Sequence, residues 1–167
     1  DLLLAVGAAH GEFARIVLAV SDAADCFSLM PEAFNLAEEW QTPVIVLTEK
    51  QTAEALFTQA PFQYRKTELR RGRLVTDQRR LARLRSTDRY DPHVKDGVSL
   101  RWLPGSKAAT YCAQGDEHNA DGTVDESAAN TQGQIAKRMR KVEAIWKVLP
   151  EPDVYAGDGT HRMIDGS

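Results

Sequence analysis

Two short apolar segments constrain the fold of this chain more than any other feature. Residues 16–20 and Val44–Leu47 contain only aliphatic side chains, with no polar residue alternating between them. Strands with one wet face alternate, so unbroken runs of this length are typical of strands covered on both faces. We predict parallel strands at residues 15–20 and 44–47, joined by a right-handed helical crossover. The fold class is therefore α/β.

The segment between the strands has helical periodicity. Ser21 or Asp22 can cap a helix that we place over residues 22–41, with the pair Glu38 and Glu39 on its polar face. Pro31 predicts a kink or a restart, because proline lacks the backbone donor and clashes with the preceding turn. The apolar positions recur at steps of three and four, at Cys26, Met30, Ala33, Phe34, Ala37 and Trp40.

Composition places limits on location and partners. The apolar runs are far shorter than the roughly 20 residues that a membrane helix needs, so we predict no membrane partner. Cys26 and Cys112 lie far apart, outside any metal-binding spacing, which favours a cytoplasmic setting. Residues 1–8 resemble the end of a helix, and the first residue is Asp1 rather than Met. We therefore expect a piece of a longer chain.

A strongly basic segment follows the α/β unit. Residues 65–89 carry ten Arg or Lys against three acidic residues, and we predict a solvated, partly helical arm within a linker at residues 59–100. Clustered arginines can bind nucleic-acid phosphates. The net charge of −3 and the scarcity of aromatic residues, with only Tyr64 and Tyr90 flanking the arm, argue against nucleic acid. An acidic protein partner remains the alternative.

The second half of the chain is polar until its last long helix. We predict a short strand at residues 98–103, an acidic loop at residues 115–125 and a helix over residues 128–149 that Pro150 ends. These elements form a segment at residues 101–150. The Gly- and Pro-rich remainder, residues 151–167, is expected to be a linker towards a further domain.

Two loops carry candidate chemistry. With Gly122 at the sixth position, the acidic loop partly fits a calcium-binding loop, but its twelfth position is Ala128 rather than a bidentate carboxylate. We therefore predict an acidic turn and no metal site. His10-Gly11-Glu12 follows the first helix, and a His and a Glu two residues apart can do acid and base work or simply lie exposed in the loop.

Longer stretches of sequence show a family resemblance. The chain carries HGEFARIVLA at residues 10–19, DCF at residues 25–27, EAFNLAE at residues 32–38 and QTPVIVL at residues 41–47. A second block has GDEH at residues 115–118, then Gly122 and Glu126, then KRMRK at residues 137–141. In this order and spacing, the blocks resemble the α subunit of 2-oxoacid:ferredoxin oxidoreductases, the 2-oxoglutarate type in particular.

The resemblance implies a thiamine diphosphate enzyme that decarboxylates a 2-oxoacid, forms an acyl-CoA and passes electrons to ferredoxin. It implies that residues 1–58 are the second half of the domain that receives the aminopyrimidine end of the cofactor. A β subunit is expected to bind the diphosphate and Mg²⁺, and iron–sulfur clusters are expected on a partner subunit or domain. Coenzyme A is the implied co-substrate.

The resemblance also assigns expected site residues. The family's substrate loop and its cofactor-contacting Glu would precede Asp1, so no catalytic residue is expected within this chain and the fragment is expected to be inactive alone. His10, Gly11 and Glu12 are the candidates adjacent to the active centre. Asp116, Glu117 and His118 belong to the family's loop and are expected to be structural. The alternative is a non-catalytic scaffold protein that docks an acidic partner through the basic arm.

Overall fold

A computed structural model describes residues 1–62 and 68–149, together with the backbone of residues 153–155 and 161–163. The predictions that concern Tyr64, Arg65, Lys66 and Pro150 lie outside the described residues. The helices and strands are, in chain order, α1 (Leu2–Gly7), β1 (Ile16–Ala19), α2 (Ala23–Trp40), β2 (Val44–Leu47), α3 (Lys50–Glu54), α4 (Gln78–Leu81), α5 (Ala128–Trp146), β3 (Asp153–Tyr155) and β4 (His161–Met163).

The predicted βαβ unit is confirmed. β1 and β2 pair in parallel, with Ile16 opposite Val44 and Leu18 opposite Val46, and α2 connects them. These four residues point to the same side of the sheet, because side chains alternate along a strand. There they contact the buried Leu36 of α2 and Ile145 of α5, among other residues of the main core. The sheet and these two helices form the scaffold of the domain.

The expectation that both sheet faces are covered is wrong for the described residues. Ile16 and Leu18 are buried, whereas Val17 is only half-buried and Ala19 is exposed. All four residues of β2 are half-buried. Within the described residues, helices therefore cover one face of the two-stranded sheet, and the aliphatic side chains on the other face remain accessible.

Helix α2 begins and ends as local sequence predicts. The Asp22 carboxylate accepts a hydrogen bond from the Asp25 N–H at 2.8 Å, and Gln41 ends the helix in a left-handed conformation with φ of 47°. The predicted restart at Pro31 does not occur, because α2 is one helix from Ala23 to Trp40. Proline removes one hydrogen bond of the ladder, and packing of Ala33 and Leu36 in the core stabilises the turn beyond it.

The basic arm is not solvated along its whole length. Arg70 forms a bidentate ion pair with Glu32 of α2, at 3.0 and 2.5 Å, and a second ion pair with Glu39 at 3.0 Å. Arg71 pairs with Glu38 at 3.4 Å. The acidic face of α2 therefore binds the arm of the same chain. The expectation of a solvated arm holds for Arg79, Arg80 and Arg83, which are exposed.

A small second core lies beyond the arm. Val75, Leu81 and Trp102 are buried together. The strand predicted at residues 98–103 is wrong, because the backbone there makes only an isolated parallel bridge between Leu74 and Arg101. The short helix α4 lies in the basic segment that was expected to be partly helical. Helix α3 was not predicted, since five residues carry too little periodicity to identify a helix from sequence.

Helix α5 confirms the predicted C-terminal helix, with the Ser127 hydroxyl as its N-cap. β3 and β4 form an antiparallel pair with Asp153 opposite Met163, in the segment that was expected to be a linker. No described helix combines the length and the apolar character needed to cross a bilayer.

Candidate functional site

Two loops that are about a hundred residues apart in sequence line one cleft of about 500 Å³. One is the loop between α1 and β1, and the other is the first part of the GDEH loop, residues 115–118. The structure thus brings together every site residue that the sequence singled out. The lining residues are Ala8, Ala9, His10, Gly11, Glu12, Phe13, Gln114, Gly115, Asp116, Glu117, His118 and Arg138.

The first loop is fixed at its base and open at its tip. The Arg15 guanidinium donates a hydrogen bond to the Val6 carbonyl and lies 4.8 Å from the centroid of the Phe13 ring. The first contact ties the start of β1 to the end of α1, and the second lies within the loop. His10 and Glu12 are exposed at the tip, and their side chains make no hydrogen bond with a described residue. They are free to contact a ligand, and their role stays a prediction.

The GDEH loop begins a tight antiparallel turn. The Asn119 N–H donates to the Thr123 carbonyl at 2.8 Å, and the Asp125 N–H donates to the Glu117 carbonyl at 3.0 Å. Gly122 lies between them with φ of 86°, and a Cβ atom there would collide with the carbonyl group of Cys112. Only glycine fits this position without strain.

The acidic residues of this turn accept hydrogen bonds from their neighbours. The Asp121 carboxylate accepts hydrogen bonds from the N–H and the hydroxyl of Thr123, at 3.0 and 2.7 Å, and these bonds lower its pKa. The Asp125 carboxylate accepts from the Ser127 N–H at 2.9 Å. Across the described part of the chain, no group of three or more His, Cys, Asp or Glu side chains is placed to hold a metal ion.

One face of α5 clamps the GDEH loop. Asn130 donates to the backbone carbonyl groups of His118 and Asp125, at 3.0 and 2.7 Å. Gln134 is buried and donates to the same His118 carbonyl at 3.3 Å. Asn130 and Gln134 were not among the residues predicted from the sequence. The spacing of Asn130, Gln134 and Arg138 could have indicated a shared polar face, because residues four apart lie on one side of a helix.

Arg138 completes this clamp through Glu117. Its guanidinium forms a bidentate ion pair with the Glu117 carboxylate, at 3.1 and 2.8 Å. The hydrogen bonds from Arg138 hold the pKa of Glu117 below its ordinary value of 4.5, against the opposing effect of burial. The ion pair therefore ties the GDEH loop to α5, and the structural role of Glu117 stays a prediction.

His118 lies between the clamp and the cleft. Its ring packs on the Tyr90 ring, with 4.4 Å between the centroids. Its Nδ1 atom lies 2.9 Å from the Asn119 carbonyl oxygen. The ring is thus held at one face and at one nitrogen, while the residue still lines the cleft.

Two lysines of α5 lie near the clamp, under the segment of residues 89–98. Lys137 is only 8% exposed, and its ammonium lies 6.0 Å from the centroid of the Tyr90 ring. Burial, reinforced by the charges of Lys141 and Arg89, lowers the pKa of Lys137 to about 7. The Lys141 ammonium donates to the Gln41 carbonyl at 3.3 Å, and burial lowers its pKa to about 8. This part of the structure concentrates positive charge away from water.

Comparisons with known proteins agree with this architecture. Residues 1–138 match the family described as pyruvate flavodoxin/ferredoxin oxidoreductase, thiamine diphosphate-binding. The α subunit of 2-oxoacid:ferredoxin oxidoreductase 1 from Sulfurisphaera tokodaii is 37% identical over 98% of this chain and 26% of its own length. The corresponding α subunit from Saccharolobus solfataricus is 32% identical over 90% of the chain and 23% of its own length.

A solved structure shows the same fold. The structure of 2-oxoglutarate:ferredoxin oxidoreductase from Magnetococcus marinus, with 2-oxoglutarate, coenzyme A and succinyl-CoA bound, superposes with a TM-score of 0.62. It is 29% identical, over 90% of this chain and 25% of the solved chain. This chain spans about a quarter of the length of the curated relatives that match most of it. The chain belongs to the thiamine diphosphate-binding family of pyruvate flavodoxin/ferredoxin oxidoreductases and corresponds to part of a 2-oxoacid:ferredoxin oxidoreductase α subunit.

Proposed function

We propose that this chain supplies one wall of the active centre of a 2-oxoacid:ferredoxin oxidoreductase. The observation that carries the proposal is the cleft in which His10, Gly11 and Glu12 meet Asp116, Glu117 and His118. Ligands of α/β proteins bind where loops at the ends of the elements converge, on a rigid scaffold. Here Arg15 fixes one loop and α5 fixes the other.

The proposed reaction is oxidative decarboxylation of a 2-oxoacid to an acyl-CoA, with ferredoxin as the electron acceptor. 2-Oxoglutarate is the favoured substrate. A 2-oxoglutarate synthase subunit KorA from Methanothermobacter marburgensis is 40% identical over 50 residues, and the solved neighbour was obtained with 2-oxoglutarate bound. The proposed partners are a β subunit and ferredoxin, the proposed iron–sulfur clusters lie outside this chain, and the proposed location is the cytoplasm.

The residues of the cleft fit one end of thiamine diphosphate and not the other. Glu12 and Asp116 line the cleft with carboxylate acceptors, which suit a ring that carries N–H donors. The diphosphate end requires a bound Mg²⁺, and the described residues offer no cluster that could hold one. We therefore propose that the aminopyrimidine end approaches this chain, and that the β subunit binds the metal and the diphosphate.

The chain's own contribution is to position groups. Bound thiamine diphosphate supplies the carbon nucleophile that lets a 2-oxoacid lose CO₂. Arg138 holds Glu117 and thereby the GDEH loop. His10 and Glu12, exposed on the facing loop, can exchange hydrogen bonds or protons with a ligand between the loops.

Substitution of His10 tests the proposal in the assembled oxidoreductase. His10→Ala is expected to reduce turnover or to raise an apparent Michaelis constant, with the melting temperature nearly unchanged, because His10 is exposed and makes no hydrogen bond with a described residue. His93→Ala is the matched control, since His93 is also exposed and does not line this cleft. Normal kinetics of His10→Ala combined with a lower melting temperature would contradict the proposal.

The alternative scaffold function receives no support from a specific contact. Its basis was a basic arm free to bind an acidic partner. Arg70 and Arg71 instead pair with glutamates of α2, and Arg73 pairs with Asp96 at 2.5 Å. These arginines stabilise the fold of their own chain.

A further inference from the structure

The two ring nitrogens of His118 are in different situations. Nδ1 lies 2.9 Å from the Asn119 carbonyl oxygen. A carbonyl oxygen can only accept a hydrogen bond, so Nδ1 is the donor of this pair. In a neutral imidazole with hydrogen on Nδ1, the Nε2 atom carries the lone pair and is an acceptor. Among the described residues, Nε2 has no hydrogen-bond partner.

The imidazole is held by packing and by its Nδ1 bond, and the backbone of His118 is held as well. The Tyr90 ring packs against it at 4.4 Å between centroids. Asn130 and Gln134 hold the backbone carbonyl group of His118 itself. Packing on Tyr90 involves the face of the ring and not the Nε2 atom. His118 also lines the cleft. The arrangement leaves one acceptor atom, on a residue that lines the cleft, without a partner among the described residues.

The other polar groups of the cleft point to the chemistry of the ligand. Glu12 and Asp116 add further acceptors, whereas the guanidinium of Arg138, the cation of this wall, is paired with Glu117. These acceptors suit a group that brings N–H donors, which the carboxylates of a 2-oxoacid do not supply.

We infer that His118 accepts a hydrogen bond through Nε2 from an amino or amide N–H group of a ligand in this cleft. The inference rests on the proposed function and deepens it, because it makes His118 a ligand-contacting residue as well as a member of the structural loop. Two ligands of the proposed reaction carry such groups: thiamine diphosphate, on its aminopyrimidine, and coenzyme A, along its amide chain. The 2-oxoacid is excluded as the donor.

A matched pair of variants isolates the Nε2 atom. The amide nitrogen of Asn reaches the position of Nδ1, whereas the amide of Gln reaches the position of Nε2. His118→Asn therefore keeps the bond to the Asn119 carbonyl and loses the acceptor at the cleft, and His118→Gln does the reverse. Both variants lose the packing of the imidazole on Tyr90, so this loss cancels when the two are compared.

The measurement is calorimetric titration of the assembled oxidoreductase, with thiamine diphosphate and Mg²⁺ added to the cofactor-free form and coenzyme A added to the loaded form. His118→Asn is expected to weaken one of the two dissociation constants by roughly three- to tenfold, the effect of one hydrogen bond, and His118→Gln by less than about twofold. The titration that changes identifies the ligand. The Michaelis constant for 2-oxoglutarate is expected to stay the same in both variants.

Equal dissociation constants for the two variants, or an effect confined to 2-oxoglutarate, would overturn the inference. His10→Ala in the same titrations and kinetic assays separates this result from a failure of the proposed function. If His10→Ala changes the kinetics or the dissociation constants and His118→Asn does not, only the role of Nε2 is contradicted. If His10→Ala and His118→Asn both show wild-type kinetics and dissociation constants, the cleft is not part of the active centre. The proposed function and the inference are then both contradicted.

Discussion

Two lysines of α5, the buried Lys137 and the half-buried Lys141, lead to an unusual dependence of stability on pH. The pKa of Lys137 is lowered from its ordinary value of 10.5 to about 7, chiefly by burial, and that of Lys141 to about 8. Asp91 and Asp96 oppose these shifts, while Arg89 and Arg138 reinforce them. Between pH 7 and 10 the unfolded chain binds more protons than the folded chain, so the free energy of unfolding rises with pH.

The magnitude follows from the two pKa shifts. Each proton bound only in the unfolded state changes the free energy of unfolding by about 1.4 kcal/mol per pH unit. Between pH 7 and 9, this linkage yields a gain of about 2 kcal/mol from Lys137 and about 1 kcal/mol from Lys141. Tyr90 acts in the opposite direction only at higher pH. Its raised pKa stabilises the fold below the ordinary value of 10.0, and that stabilisation is lost as pH rises through the folded value.

Urea unfolding of the chain, followed by circular dichroism at pH 7 and pH 9, measures the effect. We expect Lys137→Met to be more stable than wild type at pH 7 and to lose the Lys137 share of the pH dependence. Lys147→Met, which removes an exposed lysine just beyond α5, should keep the wild-type slope. A wild-type stability that is flat or falls between pH 7 and 9, or an unchanged slope in Lys137→Met, would refute the reasoning.

Three further predictions concern the loop and the cofactor. Gly122→Ala should cost about 2 kcal/mol or more in urea unfolding, because it combines a collision at Cys112 with a positive φ, whereas Gly115→Ala, with open space around it, should cost little; equal losses would contradict this account of the turn. Glu117→Gln should remove only the Glu117 share of the stability that the wild type loses as pH falls from 4.5 through the lowered pKa of Glu117, since Glu32, Asp121 and Asp125 also have lowered pKa values, and acid titration of both proteins makes this comparison directly. Calorimetry of the chain alone with thiamine diphosphate and Mg²⁺ should show no micromolar binding, since the described residues offer no metal cluster, and micromolar binding would mean that the chain is more than one wall of the site.

The sequence predicted those features that depend on local pattern. The unbroken runs of β1 and β2 and the period of α2 identify the parallel pair, because a helical crossover between two short apolar strands pairs them in parallel. The ion pairs of Arg70 with α2 could not be predicted, since a basic segment has the same composition whether it lies in water or on an acidic helix. Pro31 shows the same limit, because its local cost was outweighed by packing elsewhere along α2.

The candidate site was predicted residue by residue but not as a site. His10 and the GDEH loop were found as separate motifs, on the strength of a family resemblance. Their meeting at one cleft depends on how α5 crosses the sheet, and this is a property of the whole core. The clamp residues Asn130 and Gln134 belong to no recognised motif. The sequence indicates them only through their spacing of four residues, which places them on one side of a helix.

Helix α5 contacts both the core and the GDEH loop, and the rotation of the helix about its axis decides which residues face each of them. Its C-terminal part packs Val142 and Ile145 against the sheet, and its N-terminal part presents Asn130, Gln134 and Arg138 to the GDEH loop. Insertion or deletion of one residue between Arg138 and Val142 would turn one part by about 100° relative to the other. The core and the loop could then no longer be contacted together. Lineages of this protein are therefore expected to vary freely in length in the exposed loop around Pro104 and Gly105, and to hold the length of α5 constant.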